Sequence, residues 1–316
     1  MEKKGSVTVI CIAFNHEKWI AKALDSVLGQ SYEYVELIIA DNGSSDQTAG
    51  IIRDWVSKHS LKFPVSTIYN SASIPYCKLF NEMLNLANGE FIVDLSGDDF
   101  LYPQHLSLSL DRLKSIPNAA FVFSDAHIRE ENGVQENYYQ EKEKDELKGK
   151  VLDRDFYRTL ISKSCISSPT VIFRNQMLKQ EGGYDSSLIY EDFDIQLRLT
   201  NKYPVVYADH VGVYKRKHPH SLSANQYRCY QSEMLPSTLR VCEKIRAMNS
   251  TLSEDLALQK RVLYELKHAL WSANFVPAQG FVRLARQLGV ESIEFSLYQL
   301  WLRIRLDVSW LYVTLT

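Results

Sequence analysis

The sequence predicts an α/β fold with a mostly parallel central sheet and helices on both faces. Three observations predict it. Short apolar, β-branched runs recur through the first hundred residues. The stretches between them place apolar residues at helical spacing. Strand and helix then alternate at the interval of βα units, which build parallel sheets. Ligands of such sheets sit beyond the carboxyl ends of the strands.

The elements follow in order. Residues 7–14 (VTVICIAF) form a continuous apolar run, as a strand buried on both faces requires. Residues 17–28 read as a helix with Trp19, Ile20, Ala23, Leu24 and Val27 on one face. Residues 34–40 are the second strand, and 46–58 the second helix, with Ile51, Ile52, Trp55 and Val56 inward. A short strand at 65–69 precedes a helix at 78–87, which Asn88-Gly89 stops. Residues 91–95 are the next strand. Further on, 119–124, 170–173, 205–207 and 211–214 read as strands and 192–199 as a helix. The highly charged stretch 130–150 reads as a solvated loop or long excursion. From 226 to 290 the pattern is helical, so a boundary falls near Asn225 and separates a 1–225 domain from a mainly helical 226–316 region. Residues 297–315 carry two conflicting patterns, one alternating like a strand and one helical. They suit a docked terminal element, a dimer contact or an interfacial helix.

Composition narrows the function. The 316 residues carry a formal net charge of −2, so no basic field draws the chain to nucleic acid. Five scattered cysteines form no CxxC pair and indicate neither a zinc site nor a disulfide framework. The apolar run after the N-terminal lysines is too short for a signal peptide, and no stretch of about 18 apolar residues suggests a membrane span. A cytoplasmic location is expected, with a peripheral position on the inner face of the cell membrane if 297–315 docks there.

Two strands run into acids. Residues 91–103 (FIVDLSGDDFLYP) end in Asp98-Asp99, and 37–48 (LIIADNGSSDQT) lead into Asp41 and a Gly/Ser turn. Asp46 fits the cap of the helix that follows. Asp98-Asp99 serves either as a helix cap or as hard ligands for Mn²⁺ or Mg²⁺. Acids on two strand ends favour a nucleotide with its metal. The turn after the first strand, Asn15-His16-Glu17, lacks GxGxxG, and no P-loop is present. The phosphates of a bound nucleotide would therefore need a metal.

Five segments in order carry a resemblance: VICIAFNHEKWIAKALDSVLGQSY, VELIIADNGSSDQT, CKLFNEMLNLANGEFIVDLSGDD, GGYDSSLIYEDFDIQLRL and YKRKHPHSLS. Residues 7 to about 223 resemble the inverting glycosyltransferases of family 2, of the bacterial polysaccharide and O-antigen type, which have the GT-A fold. The resemblance implies a nucleotide-binding half at about 1–103 and an acceptor half at about 104–225. It implies a nucleotide-diphosphate sugar donor, UDP-linked by preference, and a saccharide or lipid-linked saccharide acceptor. Ala13 and Phe14 would line the base, and Asp41 would contact base or ribose. Asn42 stands where the family often has a second Asp and keeps a hydrogen-bond partner there. Lys78 would border the diphosphate or, as a bland alternative, be a solvated helix lysine. Asp98 would bind Mn²⁺ or Mg²⁺, with Asp99 beside it and His218 completing the metal site; His218 and His220 also read as ordinary loop histidines. Ser96 replaces the acid that usually opens the metal motif and would reach a ribose hydroxyl or a metal-bound water. Asp192 would be the general base, against a helix-capping role for Glu191-Asp192, and Arg198 would pair with a nearby acid. Two other classes compete: a sugar-phosphate nucleotidyltransferase, for which a Gly-rich loop is missing, and a catalytically silent saccharide-binding protein.

Overall fold

The computed structural model describes residues 3–59, 62–129, 133, 135–217 and 225–315. The first half alternates strictly: β1 (Lys3–Ala13), α1 (Ile20–Leu28), β2 (Val35–Asp41), α2 (Thr48–Lys58), β3 (Val65–Tyr69), α3 (Tyr76–Leu86) and β4 (Gly89–Ser96). There follow β5 (Phe100–Leu101), α4 (His105–Lys114), β6 (Phe121–Arg129), β7 (Gln135–Asn137), α5 (Glu141–Leu147), β8 (Val151–Leu152) and α6 (Arg154–Lys163). A 3-10 turn (Ser168–Thr170) leads to β9 (Ile172–Arg174), α7 (Asn175–Gln180), α8 (Glu191–Lys202) and β10 (Val205–Arg216). The chain ends in α9 (Met234–Met248), α10 (Leu252–Trp271), α11 (Phe275–Gln287), α12 (Ile293–Ile304) and α13 (Ser309–Leu315).

Among the described residues one sheet runs β3-β2-β1-β4-β9-β6-β10-β5, with β7 on β6 and β8 on β10. The block β3-β2-β1-β4 is parallel throughout, as is the β6–β10 pair. These are the long ladders. The antiparallel pairings, such as β4–β9 and β6–β9, are two or three residues each. The central strand explains itself: Val7 and Val9–Ala13 are buried to 3% exposure or less, as the middle of a covered parallel sheet demands. Helix α1 lays Ile20, Ala23, Leu24 and Val27 against this core. Register sets Ala13 opposite Asp41 on one side, and Ile12 opposite Ser96 on the other. The ends of β2, β1 and β4 therefore line one edge.

Three segments differ from the reading of the sequence. Within 130–150, β7 and α5 form instead of a loop. Gln140 and Glu143 make a capping box, and Lys144 Nζ lies 3.1 Å from Oδ2 of the buried Asp125. The density of charge hides these local signals. Residues 205–216 form one strand rather than two, irregular in register between Ala208 and Val213. In the C-terminal segment the helical pattern prevails: α12 ends at Arg305, whose φ of 51° is left-handed, and the alternation at 302–308 straddles that break.

The chain divides into two compact units. The first, Met1–Arg154, Ile166–Ser186 and Arg198–Lys217, contains the whole sheet. The second comprises Asp155–Cys165, Ser187–Leu197 and His218–Thr316. Its helices α9, α10 and α11 bury Leu235, Ile245, Leu258, Leu266 and Phe281. All five cysteines are free thiols. Among the described residues no helix is long and apolar enough to cross a membrane.

Candidate active site

The turns after β1 and β2 are laced together. Asn15, at φ 56°, donates its N–H to Ser44 Oγ (2.9 Å) and accepts from Ser45 N (2.9 Å). The His16 N–H reaches Thr48 Oγ1 at 2.8 Å. Burial works to raise the Asp46 carboxyl, but hydrogen bonds from Thr48 and from the Glu17 N–H hold it below its ordinary range. Asp46 thus caps and stitches. Asp41 is different. It is 3% exposed; its Oδ2 accepts from Ser44 N at 3.3 Å, while Oδ1 is buried and finds no hydrogen-bond partner among the described residues. A buried, unsatisfied carboxylate oxygen is costly unless a ligand completes it. Beside it Ala13 is fully buried, and the Phe14 ring stands 46% exposed at the strand end, an aromatic face open to stacking.

Asn42 is committed elsewhere. Its amide donates to Ile74 O (2.9 Å), and its oxygen accepts from Ile74 N (3.1 Å) and from Asn70 Nδ2 (3.1 Å). It therefore pins the 70–74 loop to the end of β2. Gly43 makes this possible: at φ +75° it has backbone of Ala72 within 2.5 Å of where a Cβ would be.

At the end of β4 the two acids part company. The Ser96 hydroxyl donates to Asp98 Oδ1. Asp99 is 4% exposed and accepts the Arg216 N–H on Oδ1 at 2.8 Å, while the Arg216 guanidinium donates to the Asp98 carbonyl. Burial, and then the neighbouring Asp98 charge, push the Asp99 carboxyl up to about 7. Asp99 is thus a latch between the β4 loop and the end of β10, and Asp98 is the acid left at the strand edge. Among the described residues no group of three His, Cys, Asp or Glu side chains gathers as a ready-made metal cage. A hard cation that arrives with a diphosphate needs only one or two protein carboxylates, and Asp98 fits that part. His218 and His220 lie outside the described residues.

One acid that the sequence reading passed over lies behind this edge. Asp94 shares the strand face of Ser96, two residues on, inside β4. It accepts the Tyr76 hydroxyl on Oδ1 (2.5 Å) and the Tyr184 hydroxyl on Oδ2 (2.8 Å). Tyr184 stacks on Phe80 at 4.2 Å, and Asn81 holds its backbone at both N–H and carbonyl. The Gly-Gly-Tyr segment is thereby fixed to α3 and β4. Its signal in the sequence was an Asp in the middle of an apolar strand. Arg216, also not singled out, sits inside the YKRKHPHSLS segment. Lys78 is exposed on α3. The Arg198 guanidinium donates to the carbonyls of Glu181 (2.5 Å) and Gly183 (2.7 Å).

In the second unit, Asp192 stands half-buried in the first turn of α8, accepting the Phe193 N–H at 2.7 Å. The residues before it are held firmly. Ile189 and Tyr190 both donate backbone N–H to Ser237 Oγ, and Tyr190 stacks on Phe193 at 5.1 Å. Burial above all, with the Asp192 charge adding to it, pushes the Tyr190 hydroxyl up to about 12. Arg261 lies over the other partner of that stack, 4.7 Å from the Phe193 ring, and is ion-paired to the buried Glu265 at 3.0 Å. Asp194 is buried and paired with Lys244 at 2.6 Å.

A parallel β3-β2-β1-β4 block with acids at its carboxyl edge, followed by a mixed sheet and C-terminal helices, is the architecture of a GT-A glycosyltransferase. The profile of glycosyl transferase family 2 matches residues 8–181, more than half of the sequence, and the chain belongs to that family. The chain is similar to the poly-beta-1,6-N-acetyl-D-glucosamine synthase of Staphylococcus epidermidis, 24% identical over 193 residues, 61% of this chain and 45% of that one. Among solved structures it is similar in fold to S. aureus TarS 1–349 in complex with UDP-GlcNAc, with a TM-score of 0.71 at 17% identity, covering 95% of this chain and 88% of TarS. It is also similar in fold to the mannosyltransferase PcManGT of Pyrobaculum calidifontis in complex with GDP-Man and Mn²⁺, with a TM-score of 0.59 at 17% identity, covering 95% and 83%. The chain spans only 33% to 48% of the length of the first curated relatives it matches.

Proposed function

We propose that this glycosyltransferase moves a sugar from a nucleotide-diphosphate donor, UDP-linked by preference, to a saccharide or lipid-linked saccharide of a surface polysaccharide, with inversion at the anomeric carbon. The observation that carries the donor half is the buried Asp41 Oδ1 without a hydrogen-bond partner among the described residues, beside the exposed Phe14 ring and at the sheet edge where β4 ends, two residues before Asp98. Asp41 would accept a hydrogen bond from base or ribose, and Phe14 would lie against the base. The donor-bearing neighbours, TarS with UDP-GlcNAc and PcManGT with GDP-Man and Mn²⁺, support this reading, as does the likeness to a polysaccharide synthase.

Asp98 would hold Mn²⁺ or Mg²⁺, which when bound supplies Lewis-acid neutralisation of the leaving diphosphate. Ser96 orients the Asp98 carboxylate through its hydroxyl, and Asp99 with Arg216 keeps the β4 loop in place. Asp192 is assigned the acceptor's proton as general base, and a single displacement then needs no nucleophilic carboxylate. The residues within 1–103 serve the donor and those within 104–225 the acceptor.

The test is a thermal-shift screen with UDP-, GDP- and dTDP-sugars, with and without Mn²⁺. A donor at a hundredfold excess over Kd adds about 2.7 kcal/mol of stability, a rise of several degrees. The reading expects that rise for one nucleotide class, larger with Mn²⁺, together with donor turnover that a chelator abolishes. Binding without turnover under every condition would point to a silent binding protein, and no shift with any donor would end the proposal.

A further inference from the structure

Asp192 lies beyond the residues that the family profile matches, in a segment that shares a compact unit with the C-terminal helices. One face of α9 grips that segment. Ser237, Arg240 and Lys244 recur at intervals of three and four residues, which sets them side by side. The Arg240 guanidinium donates to the Ser187 carbonyl at 2.9 Å. The Ser237 hydroxyl oxygen accepts the N–H groups of Ile189 and Tyr190 at 2.9 and 3.0 Å. The Lys244 ammonium pairs at 2.6 Å with Asp194, which is 1% exposed. The grips therefore fall on both sides of Asp192. Around the same helix Leu235, Val241, Cys242 and Ile245 are buried, so α9 is itself anchored.

Leu188 and Phe193, both buried, already hold the segment by packing. Packing is non-directional, whereas hydrogen bonds and a close ion pair fix an orientation. The Tyr190 ring is fixed as well, by its stack on Phe193 and by a 2.9 Å hydrogen bond between its hydroxyl and that of Ser164. A general base works only within hydrogen-bond reach of the proton it takes, and a misplacement of about 1 Å costs about 10²-fold. A half-buried carboxylate in the first turn of a helix gains that precision from what holds the turn.

We propose that Ser237, Arg240 and Lys244 are positioning residues for Asp192, which makes α9 part of the transfer machinery. The inference rests on the reading of Asp192 as the general base. The experiment measures, in the full chain, turnover of the nucleotide sugar that thermal shift selects and calorimetric affinity for its free nucleoside diphosphate. Ser237→Ala should lower turnover about tenfold or more, with nucleotide affinity within about twofold of the parent. Ser237→Thr, which keeps the hydroxyl, should restore turnover to within about threefold. Arg240 is exposed, so Arg240→Ala should keep the parent's melting temperature and still lose about threefold in turnover; it decides the matter if Ser237→Ala does not fold. In an Asp192→Asn background Ser237→Ala should cost less than about twofold more, because the base it positions is gone. The proposal is overturned if Asp192→Asn is impaired while Ser237→Ala and Arg240→Ala turn over like the parent, a result that leaves the base reading standing. It is overturned too if Ser237→Ala costs as much without Asp192 as with it, which would make the grips merely structural. If Asp192→Asn keeps the parent's turnover, the base reading falls and the positioning role falls with it.

Discussion

Replacing Tyr184 with Phe isolates one hydroxyl in the framework behind the strand edge. Tyr184 is 4% exposed, and Phe keeps the stack on Phe80 and the backbone bonds to Asn81. What is lost is the 2.8 Å bond to Asp94 Oδ2, while the bond from Tyr76 to Oδ1 stays. A hydrogen bond to a charged, part-buried carboxylate contributes about 1.5–3 kcal/mol. Tyr184→Phe should therefore lower stability by about 2 kcal/mol, seen as a lower urea midpoint with an unchanged slope. With two compact units in the chain, tryptophan fluorescence and far-UV dichroism must be compared before one free energy is quoted. The same substitution in an Asp94→Ala background should cost little, because its partner is already gone. A loss below about 0.5 kcal/mol, or an equal loss with and without Asp94, would refute the reasoning.

Other outcomes follow from the same structure. Gly43→Ala meets both a left-handed φ and backbone of Ala72, so urea unfolding should show a loss of about 2 kcal/mol or more. Asp41→Asn should weaken nucleotide binding about 10- to 100-fold in calorimetry without lowering the melting temperature; unchanged affinity would remove Asp41 from the donor site. The buried His105 is pushed down to about 3, by burial first and then by His210, itself pushed down to about 4 by burial. Below the ordinary histidine value of about 6.5 the unfolded chain takes up these protons first. Stability is then lost as pH falls from that value towards the folded ones, at up to about 1.4 kcal/mol per pH unit for each imidazole. His105→Asn should flatten urea-derived stability between pH 6.5 and pH 4.5 by about one proton, and an unchanged slope would count against it.

The first hundred residues were legible because their signals are local. Continuous apolar runs mark β1, β2 and β4, helical spacing marks α1 to α3, and polar turns end each strand. The position of Asp41 at the end of β2 was legible for the same reason. What sequence alone hid depends on partners far along the chain. Asn42 and Asp41 are adjacent acids or amides in the sequence, yet one pins a loop at 70–74 and the other leaves an oxygen open. Asp98 and Asp99 separate only when Arg216, more than a hundred residues on, takes Asp99. Asp94 reads as an oddity in an apolar strand until α3 and the Gly-Gly-Tyr segment bring it two hydroxyls. The end of α12 was obscured because the break at Arg305 let a strand-like alternation run across it.

The most direct measurement is transfer by Asp192→Asn, with donor affinity measured on the same preparation. A general base contributes roughly 10²–10⁴-fold, so turnover should fall by at least about a hundredfold while nucleotide affinity stays within about twofold of the parent. Turnover that falls less than about tenfold would contradict Asp192 as the base and, with it, the proposed single-displacement mechanism.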